Sequence, residues 1–264
     1  MTRWMVSNIP SWLLLLGLIV LVAGGAVLVQ TYVRHRFPGI KEDAHNDATK
    51  FVYGVVGFVY AFFIGFVVSA MWSQIHTEDG QARDEGAAGV QLASDLTVFD
   101  KADSDRIRQS LLDYERAAVT EWHLSASGQS FPEADKALQR LHTAYEQAQP
   151  HTDTQKTFLA TSFNNLDKIS QARTERVLQA RTDVGPPWSL WAIILLTSGL
   201  VLGCTIVYGV EQPKMHRAMV ATVGVLVAAN LFLVLQLANP FIGQIATSPE
   251  PLHEVIRVLT QPPA

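Results

Sequence analysis

Apolar residues along this chain are gathered into blocks instead of being spread through it. Four uninterrupted runs, at 12–33, 51–72, 188–208 and 219–238, contain no Asp, Glu, Lys, Arg or His. A bilayer hydrocarbon core about 30 Å thick is crossed by about 20 helical residues rising about 1.5 Å each. Each run therefore predicts a transmembrane helix. The implied organisation is an all-α integral membrane protein with two helical hairpins, at 1–72 and 188–238. A polar segment at 73–187 separates them and a tail follows at 239–264.

The polar segment reads as amphipathic helix throughout. Ile107, Leu111, Tyr114, Ala118 and Trp122 recur at three and four residues, as do Leu138, Leu141, Tyr145 and Ala148, the period of a buried helical stripe. Ser130 with Glu133 and Thr152 with Gln155 have capping-box spacing, and Pro132 suits a first turn. From Thr152 the pattern runs to Asp183, where Gly185-Pro186-Pro187 stops it. A further helix continues the second span outward through Ala82, Val90, Leu92 and Leu96 to about Asp100. In the tail, Asn239-Pro240 ends the fourth span. Ser248-Pro249-Glu250-Pro251 then supplies a turn before a short helix with Leu252, Val255, Ile256 and Leu259 on one stripe, expected to lie on the soluble helices or on the membrane surface.

Composition changes this picture in three places. The first run, with Arg3 before it, resembles a secretory signal, but its 22 apolar residues exceed an ordinary signal core. Arg34-His35-Arg36 also stands where a cleavage site would be, so it reads as a retained span. Cys204, the only cysteine, lies inside the third span, which leaves no disulfide framework and no cysteine metal site. The 73–187 segment holds 18 Asp and Glu against 12 Lys and Arg, a formal −6, while the remainder is +2. Nucleic-acid binding requires clustered cations and is excluded as a reading.

Charge also sets orientation. Four spans leave the loops at 34–50 and 209–218 together on one side, carrying Arg34, Arg36, Lys41, Lys50, Lys214 and Arg217. Positive charge in short loops marks the cytoplasm, so a multi-pass inner or plasma membrane protein with its helical segment outside is expected. Arg173, Arg176 and Arg181, with Arg3, Arg83 and Arg257, argue for the reverse.

The second span carries the candidate chemistry. Gly54, Gly57, Ala61, Gly65 and Ser69 recur at three and four residues and form one small-residue helix-packing face. Phe58, Phe62 and Phe66 stand one turn apart on an adjacent stripe. They read either as lipid-facing or packing rings, or as a hydrophobic constriction around an axis shared by several copies. Thr197, Ser198, Thr205, Thr222 and Gln236 are expected to bond across helices. Asn230, near mid-bilayer, must find a partner for its amide. No intramembrane carboxylate supplies a proton relay. No GxSxG, phosphate loop, HExxH or paired histidine occurs, so no catalytic residue, cofactor site or metal site is expected. Asp100, Asp103 and Asp105 lack the Gly and distal Glu of a calcium loop and read as a solvated helix start.

Several motifs taken together resemble the bacterial bestrophin-like domain family of four-span membrane proteins. They are Asn46-Asp47 before the second span, Tyr53-Gly54-Val55-Val56-Gly57 leading to Tyr60-Ala61 and Gly65-Phe66, and Glu85 with the Ala-rich stretch beyond it. The most specific is Asn239-Pro240-Phe241-Ile242-Gly243 followed by Ser248-Pro249-Glu250-Pro251. The family pattern often has Asp just before the Pro-Phe pair, where this chain has Ala238 and Asn239. The resemblance implies a pentameric ion channel with two membrane hairpins, a cytoplasmic helical domain between spans two and three, and an apolar neck that Phe58, Phe62 and Phe66 would match. It also implies a lipid bilayer, further copies of the chain and an inorganic ion as partners. A non-conducting alternative stays open, because the layout also resembles stator-type subunits in which the small-residue face would grip a partner's helix.

Overall fold

The computed structural model describes residues 2–37, 46–127, 129–181, 185–208, 212–243 and 245–261, with the side chains of 2, 3, 46–50 and 126 outside that description. The regular elements are helices α1 (Thr2–Asn8), α2 (Ser11–Ile19), α3 (Gly25–Arg36), α4 (Asn46–Asp95), α5 (Lys101–Ala126), α6 (Pro132–Glu146), α7 (Asp153–Arg181), α8 (Trp188–Val207), α9 (Pro213–Leu237) and α10 (Glu250–Thr260). A π-helical turn, Val20–Gly24, joins α2 to α3, so Ser11–Arg36 is one continuous span. With the apolar start of α4, α8 and α9, four helical stretches are long and apolar enough to cross a bilayer. The chain is a multi-pass, all-α membrane protein. It divides into a membrane unit, residues 1–74 with 185–246, and a helical unit, residues 75–184 with 247–264. The 50 residues of α4 run through both.

In the membrane unit, α4 packs on α8 and α9 through Tyr60, Ile64 and Val67 against Ile194, Val201, Val227, Leu231 and Val234. The first span crosses α9 at very short range. A Cβ on Gly224 would lie 2.6 Å from Ala23 Cα, so glycine there is what lets the two backbones meet. Trp12, Trp72 and Trp188 are exposed at the same end of their spans, the placement of an interfacial aromatic belt.

The polar side chains in the spans depart from expectation. Thr197, Thr205 and Thr222 donate to Ile193, Val201 and Ala218 carbonyls of their own helices at 2.8–2.9 Å. A carbonyl four residues back is always within reach of a helical hydroxyl, whereas a neighbouring helix seldom offers a free acceptor. The bonds that do cross helices are long, Ser198 Oγ to Tyr60 Oη at 3.5 Å and Gln236 Nε2 to Ser11 Oγ at 3.4 Å. A tighter polar knot joins three spans at His216. Its Nε2 lies 3.1 Å from the Thr205 carbonyl, which can only accept, so this nitrogen carries the hydrogen. Nδ1 then accepts from Gln30 Nε2 at 3.0 Å and Arg34 Nη1 at 3.3 Å. Lys214 and Arg217 accordingly sit in the first turns of α9 and not in a loop, because Pro213 starts the helix ahead of the apolar run.

The helical unit is built on the expected periodicity. Ile107, Leu111, Tyr114, Ala118 and Trp122 form the buried stripe of α5. On α6 the buried stripe is Ala134, Ala137, Leu141, Ala144 and Tyr145, with Leu138 only half-buried at its edge. The Thr152 box is formed in both directions, Gln155 N to Thr152 Oγ1 at 3.1 Å and Thr152 N to Gln155 Oε1 at 3.3 Å. Ser130 caps nothing: Phe131 takes the N-cap because Pro132 begins the helix. Asp100 is the N-cap residue of α5, with its carboxylate engaged by Gln155 Nε2 at 3.2 Å. In α10, Leu252, Val255 and Leu259 face inward while Ile256 is half-buried. The helix lies on the helical unit.

Candidate functional site

At about 100° per residue, Tyr60, Ile64 and Val67 fix one side of α4, and Phe58, Phe62 and Phe66 fall about 160–240° away, diametrically opposite. Gly54, Gly57, Ala61, Gly65 and Ser69 fill one of the two arcs between. Packing follows this division. The first set is buried between α8 and α9, whereas Phe58, Phe62 and Phe66 are 72%, 72% and 69% exposed. Gly54, Gly57 and Gly65 meet nothing within 4 Å, and Ala61 and Ser69 are exposed. The three rings and the small-residue arc thus lie together on one face, and among the described residues no helix covers it.

Such a face has two physical outlets. Lipid tails can cover it, or further helices can approach over the small residues to the distance that glycine and alanine allow. When several copies do so around an axis, each turn of α4 contributes one ring of aromatic side chains per level. Stacked apolar levels form a constriction that closes by dewetting. Phenyl edges carry partial positive charge and do not repel anions.

The remaining sequence candidates fall elsewhere. Asn230 is half-buried on α9, and among the described residues its side chain finds no hydrogen-bond partner. Asn239 closes α9: its N–H donates to the Gln236 carbonyl at 3.2 Å and its Nδ2 to the Leu235 carbonyl at 3.1 Å. Gly243 has φ +108°, and a Cβ there would lie 2.7 Å from Gln236 Oε1. The Asn239-Pro240-Phe241-Ile242-Gly243 segment therefore terminates α9 and turns the chain, with glycine required by the backbone. Asn46 and Asp47 begin α4, but their side chains lie outside the described residues.

Two groups of residues were not anticipated. One is the His216, Gln30 and Arg34 knot; the histidines look isolated in sequence, and only the fold brings residues 186 positions apart within 3.0 Å. The other is a set of charges buried in the helical unit, Glu85, Glu115, Glu121, Arg173 and Arg176. A signal for these exists. Glu115 and Glu121 lie in phase with the α5 stripe, and Arg173 and Arg176 alternate with Ile169, Ala172 and Ala180 on the buried face of α7.

The family profile of the bestrophin-like domain matches residues 20–252 of this chain. Among solved structures, a point variant of a bacterial bestrophin homologue from Klebsiella pneumoniae is similar at TM-score 0.69 and 16% identity, covering 95% of this chain and 99% of that one. A second structure of a bestrophin homologue from Klebsiella pneumoniae matches at TM-score 0.66 and 17% identity, over 94% and 96% of the two chains. At these identities the likeness concerns the fold. Among curated proteins none matches.

Proposed function

This chain belongs to the bestrophin-like domain family, and from that premise we propose that it forms a ring-shaped homo-oligomer conducting ions passively along its axis. Span α4 of each copy surrounds the axis, and Phe58, Phe62 and Phe66 form successive levels of an apolar neck. Gly54, Gly57, Ala61, Gly65 and Ser69 let the neighbouring copies close on one another. Five copies are proposed, following the arrangement of bestrophins proper. The observation that carries this reading is the aromatic face of α4, which stands opposite the packed face and is left exposed among the described residues. By the charge of the short loops, the helical unit is proposed to face away from the cytoplasm.

The particle itself tests the proposal. Purified at low detergent, it should exceed the 29.1 kDa of one chain by light scattering, and its averaged images should show a symmetric ring with an open axis. A clean monomer removes the channel, because one chain with an apolar bundle offers ions no aqueous path. A ring whose axis is filled by a foreign helix supports the second reading, a non-conducting subunit gripping a partner through the small-residue arc. That reading draws on the same exposed glycines, which meet nothing within 4 Å.

A further inference from the structure

Where α4, α5 and α7 meet inside the helical unit, three carboxyls lie beside two guanidiniums, all buried. Glu85 on α4 and Glu115 on α5 are 0% exposed, Glu121 is 1%, and Arg176 and Arg173 on α7 are 3% and 7%. Glu85 accepts from Arg176 Nε and Nη2, both at 3.1 Å, and from Tyr114 Oη at 2.8 Å. Glu121 accepts from Arg173 Nε at 2.8 Å and Nη2 at 2.7 Å, and Asp135 of α6 reaches Arg173 from the rim at 2.8 Å. The Arg176 guanidinium also lies over the Trp122 ring at 4.9 Å. The two buried cations thus pair with Glu85 and Glu121, and Glu115 beside them has no cation bonded to it.

Among the described residues neither oxygen of Glu115 has a hydrogen-bond partner. The charged groups that bear on it are Glu85 from α4 and Arg176 from α7, with the Tyr114 hydroxyl beside them on α5. From α10 the side chain placed beside it is that of Val255. A Cβ on Gly89 would lie 2.8 Å from both Glu115 Oε1 and Val255 Cγ2, so the glycine is what allows α10 to seat so near the carboxyl. Glu250, Glu254 and Arg257 of α10 pair with one another on its outer side. An anion at Glu115 would have no donor within hydrogen-bond distance, since the unpaired Arg176 Nη1 does not reach it, and would face the charge of Glu85 in a medium of low dielectric. Burial, reinforced by Glu85 and only partly offset by Arg176, raises its pKa well above the usual carboxylate range.

We propose that Glu115 is a proton-binding site that fastens α10: the protonated carboxyl holds the helix seated, and loss of the proton undocks it. Helix α10 is the element most easily lifted from this interior. Leu252, Val255 and Leu259 hold it, with one hydrogen bond from Arg108 Nη1 to the Leu259 carbonyl at 2.9 Å. By contrast, α4, α5 and α7 are tied together by two bidentate ion pairs. The folded-state pKa is raised, so the stabilising contribution is complete below the ordinary value of 4.5 and is lost as pH rises toward the raised value. While one proton separates the seated from the lifted state, the lifted fraction grows by up to about tenfold per pH unit.

Amide hydrogen exchange on the full chain in detergent between pH 5.5 and 9, corrected for intrinsic exchange, reads this directly. Protection across 250–260 should fall toward tenfold per pH unit in the native protein. It should be flat, at the low-pH level, in Glu115→Gln and in Glu115→Met, both expected to fold because the carboxyl makes no hydrogen bond. A flat native profile, an unchanged slope in the variants, loss of α5 and α7 protection in step with α10, or failure of both variants to fold would each overturn the proposal.

Discussion

Helix α4 passes through two environments and is built inside out between them. In the membrane unit it carries no charged residue over 51–72, its buried contacts are chiefly hydrocarbon, and three large aromatic side chains point away from the chain. In the helical unit the same helix buries Glu78, Glu85 and Asp95 and turns polar groups outward. The difference follows from the solvent. Lipid costs nothing to an exposed ring, so burial there is governed by close packing at small residues. Water rewards apolar burial, and each charge carried inside needs a partner. In each unit the functional proposal rests on a group left without a partner: the phenylalanine face in one, the Glu115 carboxyl, with neither oxygen bonded, in the other.

The sharpest way to break the comparison is to remove one half of a buried ion pair. Arg176→Leu strands Glu85 and should cost the helical unit about 3–5 kcal/mol, read as a fall in its unfolding temperature or in resistance to proteolysis. Removing an exposed ring from the membrane unit should leave those readings nearly unchanged.

A smaller effect is expected where the membrane unit depends on contact rather than charge. Gly224→Val drives a side chain into Ala23 and should cost about 1–3 kcal/mol as the spans separate, measured as thermal aggregation in detergent. Gly57→Ala, with open space around it in one chain, should leave a monomer unaffected and weaken only an assembled ring.

The third prediction separates two buried carboxyls by pH. Burial, then the Glu175 charge, raises the Glu78 pKa from 4.5 to about 7. Its stabilising contribution is therefore present below 4.5 and lost by pH 7, so Glu78→Gln should flatten the decline in stability within that window. A further decline that is present in the native protein and absent from Glu115→Gln belongs to Glu115. Circular dichroism melts from pH 4.5 to 9 distinguish the two slopes.

These contrasts also show what was legible in the sequence. Spans, helical periodicity and the Thr152 cap depend on neighbours three and four residues apart, and a linear reading reaches them. Arg173 and Arg176 were counted as charges beside the third span, yet α7 turns them into the interior. Their partners, Glu121 and Glu85, lie 52 and 91 residues away, beyond any local pattern. The close approach of Gly224 to Ala23 had no local signal either, because it joins positions 201 residues apart and only the fold brings them together. The phenylalanine spacing was visible, whereas its position opposite the packed face required knowing which residues α8 and α9 cover.

Orientation changes no energy within the chain and is the smallest of these effects. A cysteine at the exposed Gln129, in a Cys204→Ser background, should react with an impermeant maleimide in intact cells. Reaction only after permeabilisation would place the helical unit in the cytoplasm, as in bestrophins proper.

The central claim rests on Phe62, the middle of the three rings. In liposomes reconstituted with Phe62→Ala, every copy loses a ring at the same level of the proposed neck, so the path widens and wets and ion flux should rise with the oligomer's melting temperature nearly unchanged. Unchanged flux together with a destabilised oligomer would contradict the neck, placing Phe62 in a helix contact whose loss leaves a cavity costing about 3–5 kcal/mol.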